Sequence, residues 1–374
     1  MVLKVKASTE MPEDKVKAVK AVLDSTAIID DSHLQLLQFT ARYYHYPLGE
    51  TVFTALPKAL REGADIDKTS INYLQLTEQG QQQPTLRAKK QQALLKQLAE
   101  SGKSPTTEIK ALGYSKATID ALINKKLITQ AVEFDSQWRE QPLQVANKPR
   151  LNSEQAIACT TINQSPGFAA FLLEGVTGSG KTEVYLQCLE AVLQQGKQAL
   201  VLVPEIGLTP QTVNRFRRRF PNTPIMLWHS ALTDNERLQT WRFCQKGSCA
   251  IVIGTRSAIF MPFLRIGMII VDEEHDASFK QQDTLRYHAR DLAAYRAQQQ
   301  NIPLVLGSAT PALETLNRAL SDKYQLLSLT QRAQTSSDNQ FELIDIKGQH
   351  LEAGLSHSAL AYIKRELARQ KQVM

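Results

Sequence analysis

From Leu151 onward, short apolar runs alternate with segments whose apolar residues recur at helical spacing. The runs have the length and composition of buried strands, and they lie at 168–173, 199–203, 225–228, 250–253, 268–271 and 303–306. Strands that alternate with helices in this way are typical of a parallel sheet. The pattern therefore predicts an α/β fold, a parallel sheet with helices on both faces.

Capping signals predict where three of these helices begin. Thr209-Pro210 places a hydroxyl just before a proline suited to the first helical position, and Thr310-Pro311 repeats the pattern. Thr233, followed three residues later by Glu236, forms a capping box that opens a helix reaching Gln245.

The first part of the chain is predicted to be helical. One helix begins at the Asp31/Ser32 cap and ends near 47–49, and a second covers 50–61. The first helix and its end carry a cluster of aromatic residues: Phe39, Tyr43, Tyr44 and Tyr46. Such a cluster is usually helix core with a hydrated edge, and the pattern favours that interpretation. The alternative is a surface that stacks on nucleic-acid bases.

A linker at 80–84 precedes the pattern of a winged helix-turn-helix. Three helices are predicted over 86–98, 106–113 and 115–126, with β-prone residues following at 127–128 and 132–134. Two short helices joined by a glycine turn and followed by β residues are typical of this fold. Lys116, Lys125 and Lys126 would then face DNA phosphates. The same fold also serves as a protein-interaction module, and both interpretations stay open.

Beyond a second linker at 142–149 lies the α/β segment, and its pattern weakens after Ser328. The chain loosens at 334–339, and a strand over 341–346 and a helix over 358–369 follow. The last residues, 372–374, have the pattern of a strand cut off at its start. We therefore expect four parts, which cover 1–80, 85–140, 150–330 and 340–374.

Composition narrows the class of protein. Hydrophobic residues make up 43% of the 374 residues and charged residues 22%, which are ordinary globular values. The formal net charge of +7 favours an anionic partner. No stretch approaches the ~20 apolar residues of a membrane span, and the first residues lack a signal-peptide profile, so we expect a cytoplasmic protein. The spacing of the four cysteines fits buried thiols rather than a disulfide or a metal cluster: Cys159, Cys188, Cys244 and Cys249.

A glycine-rich loop between a predicted strand and a predicted helix indicates a nucleotide site. It fits the phosphate-loop pattern G-x-x-x-x-G-K-[ST] with Gly175, Val176, Thr177, Gly178, Ser179, Gly180, Lys181 and Thr182. The glycines let backbone amides turn inward around a polyphosphate at the positive end of the following helix. Lys181 would reach the β- and γ-phosphates, and the hydroxyl of Thr182 would take one Mg²⁺ position. The loop is predicted to bind a nucleoside triphosphate.

An acidic box follows a later strand. Asp272 ends the apolar run 268–271, where its carboxylate can hold Mg²⁺ through water. Glu273 is placed to polarise the attacking water as a general base, and His275 to report nucleotide state to the next motif. That motif is Ser308-Ala309-Thr310 at another strand tip, whose hydroxyls can hydrogen-bond the acidic box. Together these residues indicate an ATPase that drives movement.

Three further segments suit a motor that acts on nucleic acid. The segments 204–211 and 254–258 follow strands, so their amides, hydroxyls and Arg256 would meet sugar-phosphate at the carboxyl edge of the sheet. Gln155, just upstream of the phosphate loop, is placed either to read the adenine edge or to serve as a surface residue at a helix start. A basic run at 215–219 is either a DNA contact or a solvated helix face.

In their order these motifs resemble the DEAH-type superfamily 2 helicases, and most closely the bacterial replication-restart helicases of the PriA family. The motifs are G-V-T-G-S-G-K-T, V-P-E-I-G-L-T-P-Q, G-T-R-S-A, D-E-E-H and G-S-A-T-P, within 151–329. The resemblance implies a RecA-like P-loop NTPase lobe that uses ATP and Mg²⁺. It also implies 3′→5′ DNA unwinding at stalled or branched forks and loading of the replicative helicase, with single-strand-binding protein and other primosome proteins as partners.

The resemblance also assigns roles outside the nucleotide site. The segment 278–291 resembles the family's aromatic-rich loop, in which Phe279 and Tyr287, with Lys280 between them, would couple DNA binding to ATP hydrolysis. The polar run 280–284 favours partial exposure of the two rings over the alternative, in which they pack as core beneath the sheet. Residues 43–49 resemble part of the family's DNA 3′-end-binding domain. The four parts then become a partial 3′-end-binding domain, a winged helix, the first motor lobe and the start of a second lobe.

Two departures from the family's pattern lead us to expect a chain that is incomplete at both ends. Family members begin with several dozen more residues, and they continue into a second motor lobe with an arginine finger and a cysteine-rich zinc region. Zinc is thus expected in the intact family protein, whereas its cysteine ligands are not in this sequence. The rival interpretation is a non-catalytic fork-binding adaptor. The intact Lys181, Thr182, Asp272 and Glu273 argue against it, and the missing lobe argues for it.

Overall fold

A computed structural model describes residues 12, 27–64, 73–82, 85–86, 88–102, 104–131, 136–332, 342–370 and 373. The chain divides into two compact units, Met1–Ala333 and Gln334–Met374. No helix among these described ranges has the length and apolar character needed to cross a membrane.

Three helices open the larger unit: α1 (Asp31–Tyr43), α2 (Leu48–Ala55) and α3 (Lys58–Arg61). The carboxylate of Asp30 caps α1 by accepting a hydrogen bond from the His33 amide at 2.7 Å. The single helix predicted over 50–61 is divided at Pro57. Proline disfavours helical backbone in the residue before it, and Leu56 is extended accordingly, with φ −87° and ψ 140°.

The next segment folds around a small antiparallel sheet. Its elements are β1 (Tyr73–Leu76), α4 (Glu78–Gln81), α5 (Lys89–Ser101), β2 (Ser104–Pro105), α6 (Thr106–Ala111), α7 (Lys116–Asn124) and β3 (Ile128–Ala131). The strand order is β2-β1-β3, and Leu74, Leu94 and Leu122 share one core beneath it. The three predicted helices are present as α5, α6 and α7 beside this three-stranded sheet, and α4 is an additional short helix. β1 lies upstream of residue 85, where the sequence placed the start of this part, and the predicted wing residues 132–134 lie outside the described ranges.

The centre of the larger unit is a parallel sheet of seven strands. They are β4 (Ala170–Gly175), β5 (Gln198–Leu202), β6 (Ile225–Trp228), β7 (Ile251–Gly254), β8 (Ile266–Asp272), β9 (Leu304–Ser308) and β10 (Gln325–Leu329). In space their order is β10-β4-β9-β8-β5-β7-β6. The phosphate loop follows β4 and the acidic box follows β8, and only β9 lies between these strands. The predicted α/β fold is confirmed.

Helices cover both faces of this sheet, and each face has its own core. The helices are α8 (Ser153–Asn163), α9 (Lys181–Gln194), α10 (Pro210–Arg219), α11 (Asp234–Lys246), α12 (Ala289–Gln299) and α13 (Leu313–Leu320). Successive residues of a strand point to opposite faces, so Leu200 joins one core and Val201 the other. Leu36 and Leu37 of α1 belong to the first core, so the N-terminal helices pack directly on the sheet unit.

The capping predictions have mixed outcomes. Thr209 caps α10 with Pro210 in its first turn, and Thr233 and Glu236 form the capping box of α11. The prediction for Thr310-Pro311 is wrong, because the N-cap of α13 is Ala312. A distant side chain replaces the local cap there, since Glu274 Oε1 accepts a hydrogen bond from the Ala312 amide at 2.7 Å.

The smaller unit contains α14 (His357–Ala368), close to its predicted bounds and capped by Ser356. The strand predicted over 341–346 is wrong for residues 342–346, and Phe341 lies outside the described residues. A strand needs a neighbour to satisfy its backbone groups, and the described part of this unit offers 342–346 no such partner. The predictions for 334–339 and for a strand at 372–374 fall on residues that are largely not described.

Candidate functional site

The phosphate loop joins β4 directly to α9, as predicted. Gly178 and Gly180 have φ of 83° and 86°, a left-handed conformation that side-chain-bearing residues adopt only with strain. At Gly175 an added Cβ would lie 2.5 Å from the hydroxyl of Ser179, so only glycine lets the loop close on itself. The loop therefore presents its backbone at the N-terminus of α9, where helix amides lack intrahelical partners.

Two side chains turn into this loop. Lys181 is buried, and its Nζ donates a hydrogen bond to the carbonyl oxygen of Gly175 at 2.8 Å. The buried hydroxyl of Ser179 has no hydrogen-bond partner among the described residues. A buried polar group of this kind is what a bound phosphate oxygen would satisfy. Thr182, in the first turn of α9, is half-buried.

Asp272 ends β8 next to this loop. Its Oδ1 accepts hydrogen bonds from the hydroxyl of Tyr185 at 3.0 Å and from the Glu273 amide at 3.1 Å. Burial raises the pKa of Asp272, the neighbouring charge of Glu273 raises it further, and the Lys181 ammonium works in the opposite direction. An added Cβ at Gly307 would lie 1.5 Å from the Tyr185 hydroxyl, so the Tyr185–Asp272 bond requires glycine on β9.

The acidic box contacts the tip of β9. His275 Nδ1 and Ser308 Oγ are 2.7 Å apart, and Ser308 Oγ also accepts a hydrogen bond from the Thr310 amide at 3.0 Å. The predicted hydrogen bond between the acidic box and the S-A-T motif is confirmed. The Oε2 atom of Glu273 lies 3.7 Å from Nδ1 of His275, and the Glu273 carboxylate is partly exposed. The backbone of Glu273 adopts a left-handed φ of 48°. A strained backbone at this position fits a functional site.

Sequence reasoning missed Glu274, which lies between Glu273 and His275 in the acidic box. Its side chain is fully buried. Its carboxylate accepts three hydrogen bonds: from Arg290 Nη1 at 3.1 Å, the Ala312 amide at 2.7 Å and Thr315 Oγ1 at 2.7 Å. One carboxylate thus ties the acidic box to the start of α12 and to α13. No local signal in the sequence distinguishes this glutamate from the partly exposed Glu273.

Gln155 lies at the start of α8, where the structure gives its amide a role in the loop's own architecture. Its Oε1 accepts from the Asn152 amide at 3.0 Å in a capping box, and its Nε2 donates to the Ser179 carbonyl at 2.7 Å. Contact with adenine stays a prediction. The neighbouring Glu154 accepts hydrogen bonds from the Thr330 amide and hydroxyl at 2.7 and 2.6 Å, where the chain leaves β10.

The partial exposure expected of Phe279 and Tyr287 is wrong. Their relative exposures are 0% and 1%, and both belong to the core on the α1 side of the sheet. Lys280 and His288 pair as an antiparallel bridge at the base of the loop. The polar run between the two aromatic residues faces outward, and the two rings point inward. Tyr287 packs edge-on against Phe260, with ring centroids 5.0 Å apart. In this conformation neither ring is available to stack on a base.

Of the other predicted DNA contacts, some donate hydrogen bonds to backbone carbonyl groups and others are exposed on the surface. Arg256 donates to the Ser278 carbonyl at 3.0 Å, and Lys280 donates to the Arg286 carbonyl at 2.7 Å while its ammonium lies over the Tyr44 ring. Lys116 and Lys125 are exposed on and just after α7. The basic run of α10 is divided, because Arg219 is buried in an ion pair with Glu183, whereas Arg218 is exposed.

A cavity of about 460 Å³ lies where the turn after α6 approaches the tips of β5, β6 and β7. Residues of both segments that the sequence proposed for sugar-phosphate contact line it: Leu208 and Thr209 from 204–211, and Thr255 from 254–258. Leu112, His229 and Ser230 complete this part of the lining.

Comparison with known proteins gives matches at both ends of the larger unit. The DEAD/DEAH box helicase family matches residues 152–319, and a 3′ DNA-binding domain of PriA matches residues 1–57. The replication restart protein PriA of Haemophilus influenzae is 43% identical over 377 residues, which cover 98% of this chain and 51% of that protein. Its Bacillus subtilis counterpart is 44% identical over 269 residues, or 70% of this chain and 33% of that protein.

The chain thus spans about half the length of the first of these curated relatives. Among solved structures, the Hef helicase domain of Pyrococcus furiosus covers 50% of this chain and 40% of its own, at 20% identity and a TM-score of 0.38. That structural likeness is too weak to carry functional conclusions.

Proposed function

We propose that this chain, which belongs to the PriA family of replication restart proteins, is the ATP-binding part of an ATP-dependent 3′→5′ DNA helicase. In this proposal the helicase recognises stalled or branched forks and restarts replication through primosome assembly and loading of the replicative helicase. The supporting observation is the set of polar contacts at the strand tips. Asp272 interacts electrostatically with Lys181 and accepts a hydrogen bond from the Glu273 amide, and His275 lies 3.7 Å from the Glu273 carboxylate and 2.7 Å from the Ser308 hydroxyl.

The residues around the phosphate loop fit a nucleoside triphosphate with Mg²⁺. The amides at the start of α9 and the Lys181 ammonium would hold the phosphates, and the orphaned Ser179 hydroxyl would gain a partner. The Thr182 hydroxyl and the Asp272 carboxylate are hard oxygen ligands of the kind that Mg²⁺ prefers. Bound there, the metal ion would neutralise charge on the phosphate oxygens.

Glu273 would act as the general base. Its carboxylate is partly exposed, whereas those of Asp272 and Glu274 are engaged by protein donors. Of the three, Glu273 is therefore the carboxylate best placed to accept a proton from a water molecule. His275, which contacts both Glu273 and Ser308, would transmit the state of the site to the tip of β9.

The remaining parts receive their roles from the family. Residues 1–80 would bind DNA 3′ ends, 85–140 would act as a winged helix, 150–330 as the first motor lobe, and 340–374 would begin a second lobe. DNA, single-strand-binding protein and other primosome proteins would be partners, at the nucleoid in the bacterial cytoplasm. The match of residues 1–57 to a 3′ DNA-binding domain supports the first assignment.

A fork-binding adaptor without catalysis is the alternative. An ATPase assay on this chain with forked, duplex and single-stranded DNA separates the two. Hydrolysis stimulated by DNA supports the motor. Fork binding with no ATP hydrolysis under any of these conditions supports the adaptor. A chain that binds neither ATP nor DNA contradicts both functions.

A further inference from the structure

A stack of three aromatic rings crosses from α1 to α12 and ends at the surface. The Phe39 and Tyr295 rings lie 3.6 Å apart between centroids and are parallel within 5°. Tyr43 stacks on Phe39 at 5.3 Å with an interplanar angle of 20°. We call Tyr43, Phe39 and Tyr295 the ring stack. Its inner members are half-buried, whereas Tyr43 is 58% exposed.

Tyr43 is exposed although its ring is held in place by its neighbours. Phe39 and Tyr43 are one helical turn apart, so the backbone of α1 holds their rings in register. The rings of Tyr44 and Tyr43 pack edge-on, with centroids 4.9 Å apart, so Tyr44 restrains the Tyr43 ring from the side. The exposed end of the stack is therefore a rigid surface, and stacking on it would cost little conformational entropy.

Positive charges surround this surface. Arg42 is exposed beside Tyr43 on α1, and the Arg318 guanidinium lies close enough to Tyr43 to interact with it electrostatically. Lys280 lies over the neighbouring Tyr44 ring at 5.4 Å. The acidic side chain of Asp291 also lies nearby, and it pairs with Arg290 at 3.5 Å and with Arg318 at 3.8 Å. Cations beside an aromatic face suit a ligand with a flat ring attached to an anion.

From this geometry we propose that Tyr43 is a stacking platform for a nucleobase of single-stranded DNA, with the flanking phosphates near Arg42 and Arg318. Aromatic platforms inside positively charged grooves are how proteins bind single strands without reading sequence. The inference rests on the proposed DNA-binding function and deepens it, because it names the residue that takes a base. It also replaces the buried Phe279 and Tyr287 as the base-contacting rings.

The platform is joined to the nucleotide site by α12. Tyr295 forms the inner end of the ring stack, and Arg290, in the first turn of the same helix, binds Glu274 of the acidic box. Tyr44 adds a second connection, since its hydroxyl accepts a hydrogen bond from the His288 amide at 3.0 Å. A base on Tyr43 would therefore be connected, through Phe39 and Tyr295, to the helix whose Arg290 binds the acidic box.

The test compares oligo(dT) with an abasic strand of the same length, which keeps every phosphate and removes every base. Affinities of this chain are measured by fluorescence anisotropy. Because stacking on an aromatic ring contributes about 1–3 kcal/mol per base, Tyr43→Ala should weaken oligo(dT) binding roughly 5- to 150-fold. It should leave binding of the abasic strand unchanged, and Tyr43→Phe should bind oligo(dT) like the wild type.

Phe53→Ala is the matched control. Phe53 is also an exposed aromatic residue of the N-terminal helices, at 42%, and it lies on α2 outside the ring stack. Its replacement should leave both affinities unchanged. The unfolding midpoint of Tyr43→Ala should stay near that of the wild type, because the ring is mostly in solvent.

The binding and crosslinking results decide the inference. Wild-type affinity of Tyr43→Ala for oligo(dT), or equal losses on the two strands, overturns the platform while leaving the proposed function standing. A wild-type chain that binds neither strand overturns the DNA-binding function together with the platform. Ultraviolet crosslinking of 5-iodouracil DNA to Tyr43 supports the platform, and crosslinks confined to other segments contradict it.

Discussion

The strand tips of the large sheet and the 278–290 loop both carry polar residues, but at the tips these side chains contact one another, whereas in the loop they face outward from two buried aromatic rings. At the tips, Asp272, His275 and Ser308 lie together as the sequence predicted. In the loop, the polar run 280–284 suggested exposure, but Phe279, Leu285 and Tyr287 are buried. Parallel strands bring their carboxyl ends to one edge whatever covers the sheet. Burial of the loop instead depends on α1 and on Phe260, which are distant in sequence.

The comparison shows which questions a local pattern can answer. A local sequence pattern locates the residues that the strands themselves position. It does not reveal which distant segments pack against these residues. The four predictions below test first the strand tips and then the layer that covers the loop.

Lys181→Ala should have the largest effect at the strand tips. We expect it to abolish ATP hydrolysis and to weaken ATP binding at least about 30-fold, since truncating one partner of a buried charged pair costs ~2–5 kcal/mol. Nucleotide affinity is measured with a fluorescent ATP analogue and DNA affinity by anisotropy. Lys323→Ala, at an exposed position of the same unit, is the control and should change neither. If Lys181→Ala weakened DNA binding as much as ATP binding, the two sites would not be separate.

Glu273→Gln should bind ATP normally and hydrolyse it ~10²–10⁴-fold more slowly, the range expected when a general base is removed. The change keeps the size of the side chain and removes its ability to accept a proton. Single-turnover hydrolysis, measured beside ATP affinity, separates the two effects. The exposed Glu314 of α13 provides the control variant Glu314→Gln. Unchanged turnover in Glu273→Gln would assign the base to another residue.

Phe279→Ala and Tyr287→Ala test the covering layer. Each should lower the free energy of unfolding by ~3–5 kcal/mol, the usual cost of emptying a buried aromatic site. Lys280→Ala, between them in sequence but half-exposed, should cost much less. Denaturant unfolding followed by circular dichroism measures all three. Equal, small losses would mean that the rings are not core and would restore the partly exposed loop that the sequence suggested.

Particular residues show how far sequence reasoning reached. The phosphate loop was predictable because its glycines are needed locally, two for left-handed backbone and one for close approach. The capping box of α11 was predictable for the same reason. Glu274 was not, because its three partners come from α12 and α13, and β1 was not, because a four-residue strand shows too short an alternation. What the sequence missed is contact between distant segments.

His33 tests the same covering layer at its contact with the sheet unit, and its expected effect is the smallest of the four. The pKa of His33 is lowered from 6.5 to about 3, first because burial disfavours the charged imidazolium and second because the Arg296 guanidinium repels it, while the backbone of Phe260 works in the opposite direction. Because the folded-state pKa lies below the unfolded value, the unfolded chain binds the proton first. Stability is therefore lost as the pH falls from 6.5 toward 3.

Between pH 7 and pH 5 this single residue should cost about 2 kcal/mol of unfolding free energy. His33→Phe keeps a ring against Trp241 and removes the titration, so its stability should fall about 2 kcal/mol less over that interval. If the larger phenylalanine ring fits poorly, His33→Leu replaces it in the test. It should show the same reduced pH dependence, because the change of stability with pH is compared and not the stability itself. A wild-type slope in both variants would mean that His33 takes up its proton at about the same pH in the folded and the unfolded chain, and that α1 is not packed tightly on the sheet unit.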